Sequence, residues 1–77
     1  MTREKKNIDF GTWMRERRKE QKLLQCDLAK RSNCHTNSIG RWERGEDYPP
    51  LDKVEDIVKA LGAELIIREI GHEQAIE

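Results

Sequence analysis

The sequence predicts an all-α bundle of four to five helices ending in a short C-terminal β-strand. Three observations carry that expectation. Apolar residues recur at helical spacing in successive segments. Residues that stop helices separate those segments: Asn33, Gly45, Pro49-Pro50 and Gly62. The last apolar segment, Glu64 to Ile70, turns mostly β-branched directly after a helix stop.

Asp9 to Gln21 reads as the first helix. Phe10, Trp13, Met14 and Arg17 recur at i, i+3, i+4 and i+7, and Asp9 is suited to accept hydrogen bonds from the orphan amides of the first turn. Gln25 to Ser32 reads as the second helix, with Leu28 and Ala29 inward. Asn33 tolerates the left-handed conformation that a tight helix end requires. Thr36 to Arg44 reads as the third helix, with Ile39 and Trp42 on its buried side. Leu51 to Leu61 reads as the fourth, with Leu51, Val54, Ile57, Val58 and Leu61 on one stripe. In the strand, Leu65 and Ile67 point one way, and Ile66, Arg68 and Ile70 the other. The organisation expected is a flexible arm over 1–8, a folded domain over 9–63, the strand over 64–70 and a tail over 71–77.

The chain has 77 residues, so it forms one small domain of modest core, for which dimerisation is a plausible source of stability. No apolar run approaches the ~18–20 residues of a membrane helix. The N-terminus is charged and lacks the apolar stretch of a secretory signal, so the expected compartment is cytoplasmic. Two cysteines, Cys26 and Cys34, fit free thiols there. With His35 they match no zinc spacing, and His72 is remote in the tail; no metal or other cofactor is expected. An enzyme is not expected either: no nucleophile–base pair, carboxylate pair or phosphate loop stands out.

The net charge of zero conceals a partition. Met1 to Gly45 holds 12 Lys/Arg and 6 Asp/Glu, a net +6, whereas Glu46 to Glu77 holds 3 and 9, a net −6. Such asymmetry suits one face for a polyanion and another for a different partner. The basic run from Arg15 to Lys19 is read either as part of the former or as a solvated helix face.

Two short helices joined by a tight turn, the second polar on its outer face, have the geometry of a helix-turn-helix. The outer face must enter the ~12 Å major groove of DNA, and the inner face must lock onto the preceding helix. Thr36, Asn37, Ser38 and Arg41 are polar and outward, while Ile39 and Trp42 are inward. Trp13 and Trp42 sit at core spacing and are read as packed rather than base-stacking.

These residues resemble the phage repressor/Cro-like (XRE-type) helix-turn-helix family. The resemblance spans roughly Phe10 to Leu65. It rests on Phe10-Gly11 with Met14 to Arg18, Leu23-Leu24-Gln25 with Leu28-Ala29, Ser38 to Gly45, and Ala60 to Ala63. The spacing Ile39-x-x-Trp42-Glu43-x-Gly45 is its most specific part. The fold implied is lambda-repressor-like, and the partner implied is double-stranded DNA. Gln25, Thr36, Asn37 and Arg41 fall on base-reading positions. Their chemistry agrees, since Asn pairs with adenine, Arg with guanine, and a Thr methyl meets a thymine methyl. Ser38, Arg44, His35 and Arg18 fall near phosphates. Arg18 and Glu43 match a pair that braces the first helix against the third.

Several positions depart from the family pattern. Leu24 stands where Ser or Thr caps the second helix, leaving Asp27 or water to substitute. Asn33 replaces the turn glycine. Gly40 lies mid-helix, at about 0.5–1 kcal/mol relative to Ala. Glu46 and Asp47 are acidic where relatives carry a phosphate-binding cation, so that loop is expected to turn from DNA or contact it weakly.

The function expected is a sequence-specific transcriptional regulator, a repressor that binds a palindromic operator as a homodimer. Leu65, Ile66, Ile67 and Ile70 would form the dimer by pairing two copies of the strand, a mode that relatives with a C-terminal strand suggest. The alternatives are an antitoxin or autorepressor whose acidic half takes a toxin or other protein partner, and an adaptor that binds protein but not DNA. No membrane partner is expected.

Overall fold

Asp9 opens the first helix. In the computed structural model, which describes residues 9–69, its carboxylate accepts from the Thr12 amide at 3.2 Å and the Thr12 hydroxyl at 2.6 Å. This satisfies an amide that the first turn leaves without an intrahelical partner. Helix α1 spans Phe10–Glu20, α2 Gln25–Ser32, α3 Thr36–Glu43 and α4 Leu51–Ala60. Gln21, Arg44 and Leu61, expected as last helical residues, are the C-caps of α1, α3 and α4. The arm over 1–8, Ile70 and the tail over 71–77 lie outside the described residues.

Each connection has a local cause. Lys22 turns the chain between α1 and α2 at φ 59°, a left-handed position that the sequence did not flag. Leu24 offers α2 no cap, but the Asp27 carboxylate accepts from the Leu24 amide at 2.8 Å, retaining the reciprocal half of a capping box. Asn33 ends α2 in the left-handed conformation (φ 58°, ψ 47°), as its short polar side chain permits. The Cys34 amide then closes back on the Ala29 carbonyl at 2.8 Å.

Helix α2 packs on both α3 and α4, and α1 packs on α3. The shared core comprises Met14, Leu28, Ala29, Ile39, Trp42, Ile57 and Leu61, with Phe10, Trp13, Leu23, Cys34 and Ala60 against its rim. Burying each of the larger side chains contributes about 1.5–3 kcal/mol. Phe10 and Trp13 stack at the rim, ring centroids 5.6 Å apart. Two side-chain bonds close the bundle: Gln21 Nε2 donates to the Leu61 carbonyl at 2.7 Å, and Lys53 Nζ to that of Asn33 at 3.0 Å.

Two expectations need correction. Leu51 belongs to the periodic stripe of α4 but is 65% exposed. It stands in the first turn and lines a surface groove with Leu65 and Ile67; the core contact is made further along, by Ile57, Val58 and Leu61. The strand expected over 64–70 is not formed among the described residues, where 63–69 carry no regular secondary structure. A strand needs a neighbour to complete its ladder. The other described residues form helices and their connections, so they supply none.

Gly11 sets how closely α1 approaches α3. It is buried, and a Cβ there would overlap the Trp42 carbonyl oxygen and lie 3.1 Å from that of Glu43. The obstacle is backbone and cannot rotate away. Gly11→Ala is therefore expected to destabilise the fold by about 1–3 kcal/mol despite the better helix propensity of alanine. Urea unfolding checks this; a neutral or stabilising effect would contradict the close contact.

Candidate nucleic-acid interface

Helix α3 has two unlike faces. Ile39, Gly40, Trp42 and Glu43 are buried, whereas Thr36, Asn37, Arg41 and Arg44 are exposed and Ser38 is half-buried. The inner face holds the helix against α1 and α2. The outer face carries donors, acceptors and one methyl group in the sizes that base edges accept.

The position of α3 is set by one carboxylate. Arg18 Nε donates to Glu43 Oε2 at 2.7 Å and Arg18 Nη2 to Glu43 Oε1 at 2.9 Å. Arg18 Nη1 also donates to the Leu23 carbonyl at 2.8 Å, reaching the segment before α2. Both residues are buried, at 8% and 7% exposure. The hydrogen bonds to Glu43 raise the Arg18 pKa against the opposing effect of burial. Glu43 Oε1 accepts once more, from Gln25 Nε2 at 3.0 Å. The Glu43 carboxylate thus ties α1, the start of α2 and the end of α3, and Arg18 extends the network to the α1–α2 connection.

Gln25, Thr36, Asn37, Gly40, Arg41, Arg44 and Glu46 line one groove. All four expected base-reading residues therefore lie together, with Arg44 at the edge. Gly40 is the floor. A Cβ there would lie 3.1 Å from Arg44 Nη1 and 3.5 Å from Gln25 Oε1, so its absence leaves room for both side chains.

A second, adjoining groove is lined by Arg15, Arg18, Lys19, Gln25, Glu43 and Arg44. Its exposed cations are Arg15, Lys19 and Arg44, an arrangement that suits a phosphate. Arg18, expected to touch a phosphate as well as to brace, differs in place: its guanidinium is engaged by Glu43 and Leu23. The sequence singled out neither Arg15 nor Lys19 individually. Their i, i+4 spacing on α1 was the available signal, but it becomes pertinent only once Arg44 arrives beside them. His35 and Ser38 line neither groove; His35 is the exposed N-cap residue of α3.

The loop after α3 departs from expectation too. Arg44 Nε donates to Glu46 Oε2 at 2.7 Å and Arg41 Nη2 to Asp47 Oδ2 at 3.3 Å. The acidic loop does not turn away from the groove: its carboxylates pair with the two arginines there. Among the described residues, no three His, Cys, Asp or Glu side chains converge as metal ligands.

Removing either partner of the buried pair leaves the other charge uncompensated. Arg18→Ala and Glu43→Ala are each expected to cost about 3–5 kcal/mol. The combined Arg18→Met, Glu43→Leu variant should regain most of that stability yet bind DNA more weakly, because Gln25 loses its anchor. Urea unfolding and DNA titration of the same preparations measure both; full affinity in the refolded double variant would show that the network does not position Gln25.

A family model described as helix-turn-helix matches residues 14–66, more than half of the chain. No curated protein and no solved structure gives a significant match. Among the described residues, no helix is long and apolar enough to cross a membrane. The four-helix bundle, the turn at Asn33 and the outward polar face of α3 agree with the matched family, whose members are DNA-binding regulators of transcription. The chain belongs to the phage repressor/Cro-like, XRE-type helix-turn-helix family.

Proposed function

We propose that this protein is a repressor that binds a two-fold-symmetric operator as a homodimer, with α3 in the major groove. The observation that carries the reading is the convergence of Gln25, Thr36, Asn37 and Arg41 on one groove with Arg44 at its edge. Asn37 suits the N6/N7 edge of adenine, Arg41 the O6/N7 edge of guanine, and Thr36 a thymine methyl. Gln25 keeps its amide oxygen as an acceptor while its nitrogen is held by Glu43. Arg15, Lys19 and Arg44 supply phosphate contacts, which fix register without reading sequence. Ser38 and His35, at the start of α3, would add further backbone contacts outside the two grooves.

The dimer reading rests on exposed apolar side chains. Leu65, Ile66 and Ile67 are 38%, 64% and 80% exposed on a segment without regular structure. Pairing this segment, together with Ile70, against its copy would satisfy both backbones and bury the isoleucines. A two-fold dimer presents its two α3 helices to half-sites about one turn, ~34 Å, apart.

A second reading, an antitoxin or autorepressor that also holds a toxin, is favoured by the groove of Leu51, Asp52, Glu55, Leu65 and Ile67, which joins apolar and acidic groups suited to a basic protein.

Selection from randomised duplexes is expected to enrich a palindromic sequence. Arg41→Ala should then lose about 1–3 kcal/mol of specific binding and relax one base position. Failure to enrich any sequence at moderate salt would overturn the operator reading. Ile67→Lys should lower the mass in sedimentation and weaken operator affinity; an unchanged dimer would remove the segment from the interface.

A further inference from the structure

Two of the cations that face the reading groove already have partners within the chain. Arg44 Nε and Nη2 reach the two carboxylate oxygens of Glu46 at 2.7 and 3.3 Å, and Arg41 Nη2 reaches Asp47 at 3.3 Å. The loop is built for these contacts. Gly45, at φ 76°, reverses the chain after α3, as few other residues could. The Glu46 amide then bonds back to the Arg41 carbonyl at 3.0 Å. Asp47 Oδ1 accepts from the Tyr48 amide at 3.0 Å, which leaves Oδ2 for Arg41. The hydrogen bond from Arg44 lowers the pKa of Glu46, keeping it ionised.

Building on the DNA-binding reading, we infer that Glu46 and Asp47 are specificity-determining residues. They serve as internal counter-ions that withhold Arg44 and Arg41 from phosphates and release them to the base edges and backbone geometry of the correct operator.

The physical case is a competition. All four side chains are about half exposed, and ion pairs of this kind are weak and readily exchanged. A phosphate of arbitrary DNA offers each arginine one anion in place of another, and it approaches against the repulsion of the displaced carboxylate. A guanine edge offers Arg41 a bidentate contact that discriminates among bases by about ten- to a hundredfold. The carboxylates therefore cost non-specific binding more than specific binding. They also lower the number of phosphates the protein neutralises, and with it the salt dependence, which grows by roughly 0.9 in slope per contact.

The test uses the full chain and two labelled duplexes, one of mixed sequence and one carrying the selected operator. Wild type is compared with the Glu46→Gln, Asp47→Asn double variant, and with Glu55→Gln, Asp56→Asn as a charge-matched control on α4. The double variant is expected to bind the mixed duplex about tenfold tighter or more at low salt, with a salt slope steeper by about 1–2. Its operator-to-mixed affinity ratio should fall. The single Glu46→Gln variant, an isosteric change at a half-exposed side chain, should move in the same direction by a smaller amount. A gain no larger than the control's, or an equal gain on both duplexes, overturns the inference and leaves DNA binding intact. If no protein binds either duplex with salt dependence, the DNA-binding reading falls and this inference with it.

Discussion

The buried pair of Arg18 and Glu43 is the interaction on which the placement of α3 depends. Hydrophobic contacts hold α3 near α1 and α2, but such contacts are non-directional. A bidentate guanidinium–carboxylate contact fixes orientation as well as proximity. Because Glu43 also accepts from Gln25, and Arg18 also donates to Leu23, the same network sets the start of α2 relative to the outward face of α3. A buried ion pair is weak evidence for added stability. Here its distinguishable contribution is geometric, since it links the three segments that line the groove.

Two glycines make that geometry possible in opposite ways. Gly11 removes a side chain so that α1 can lie directly on the C-terminal turn of α3, against the carbonyls of Trp42 and Glu43. That closeness brings Arg18, two turns further along α1, within reach of Glu43. Gly40, itself buried, removes a side chain from beneath Gln25 and Arg44, which would otherwise be crowded. The first absence serves packing and the second leaves space at the surface. The neighbours are correspondingly different, rigid backbone at Gly11 and flexible side-chain ends at Gly40.

The charge partition is finer than a division between two halves. The basic half supplies the cations around the grooves, but the acidic half begins at Glu46, inside the same site. Glu46 lines the groove of Gln25, Asn37 and Arg41, and Asp47 pairs with Arg41 at 3.3 Å. From Leu51 onwards the acidic half carries exposed apolar residues instead, a combination suited to association through α4 and the segment that follows it.

The helices, their ends and the family were legible in the sequence. Helical periodicity, Asp9, Asn33, Gly45 and Gly62 are local signals that act on their own few residues, and they placed every helix end to within one residue. The spacing from Ile39 to Gly45 also located the outward polar face of α3, because a short helix pinned by Ile39 and Trp42 leaves only one side outward. Contacts between distant segments were less legible. That Arg15 and Lys19 join Arg44, that Gln25 is held by Glu43, and that Leu51 falls beyond the core depend on how the helices cross. The pairing of Arg41 and Arg44 with the loop depends on the direction taken after Gly45. Whether 64–70 forms a strand depends on a neighbour that the described residues do not provide. Local signals fix dihedral angles, whereas the partners of a side chain are fixed by the packing of elements far apart in sequence.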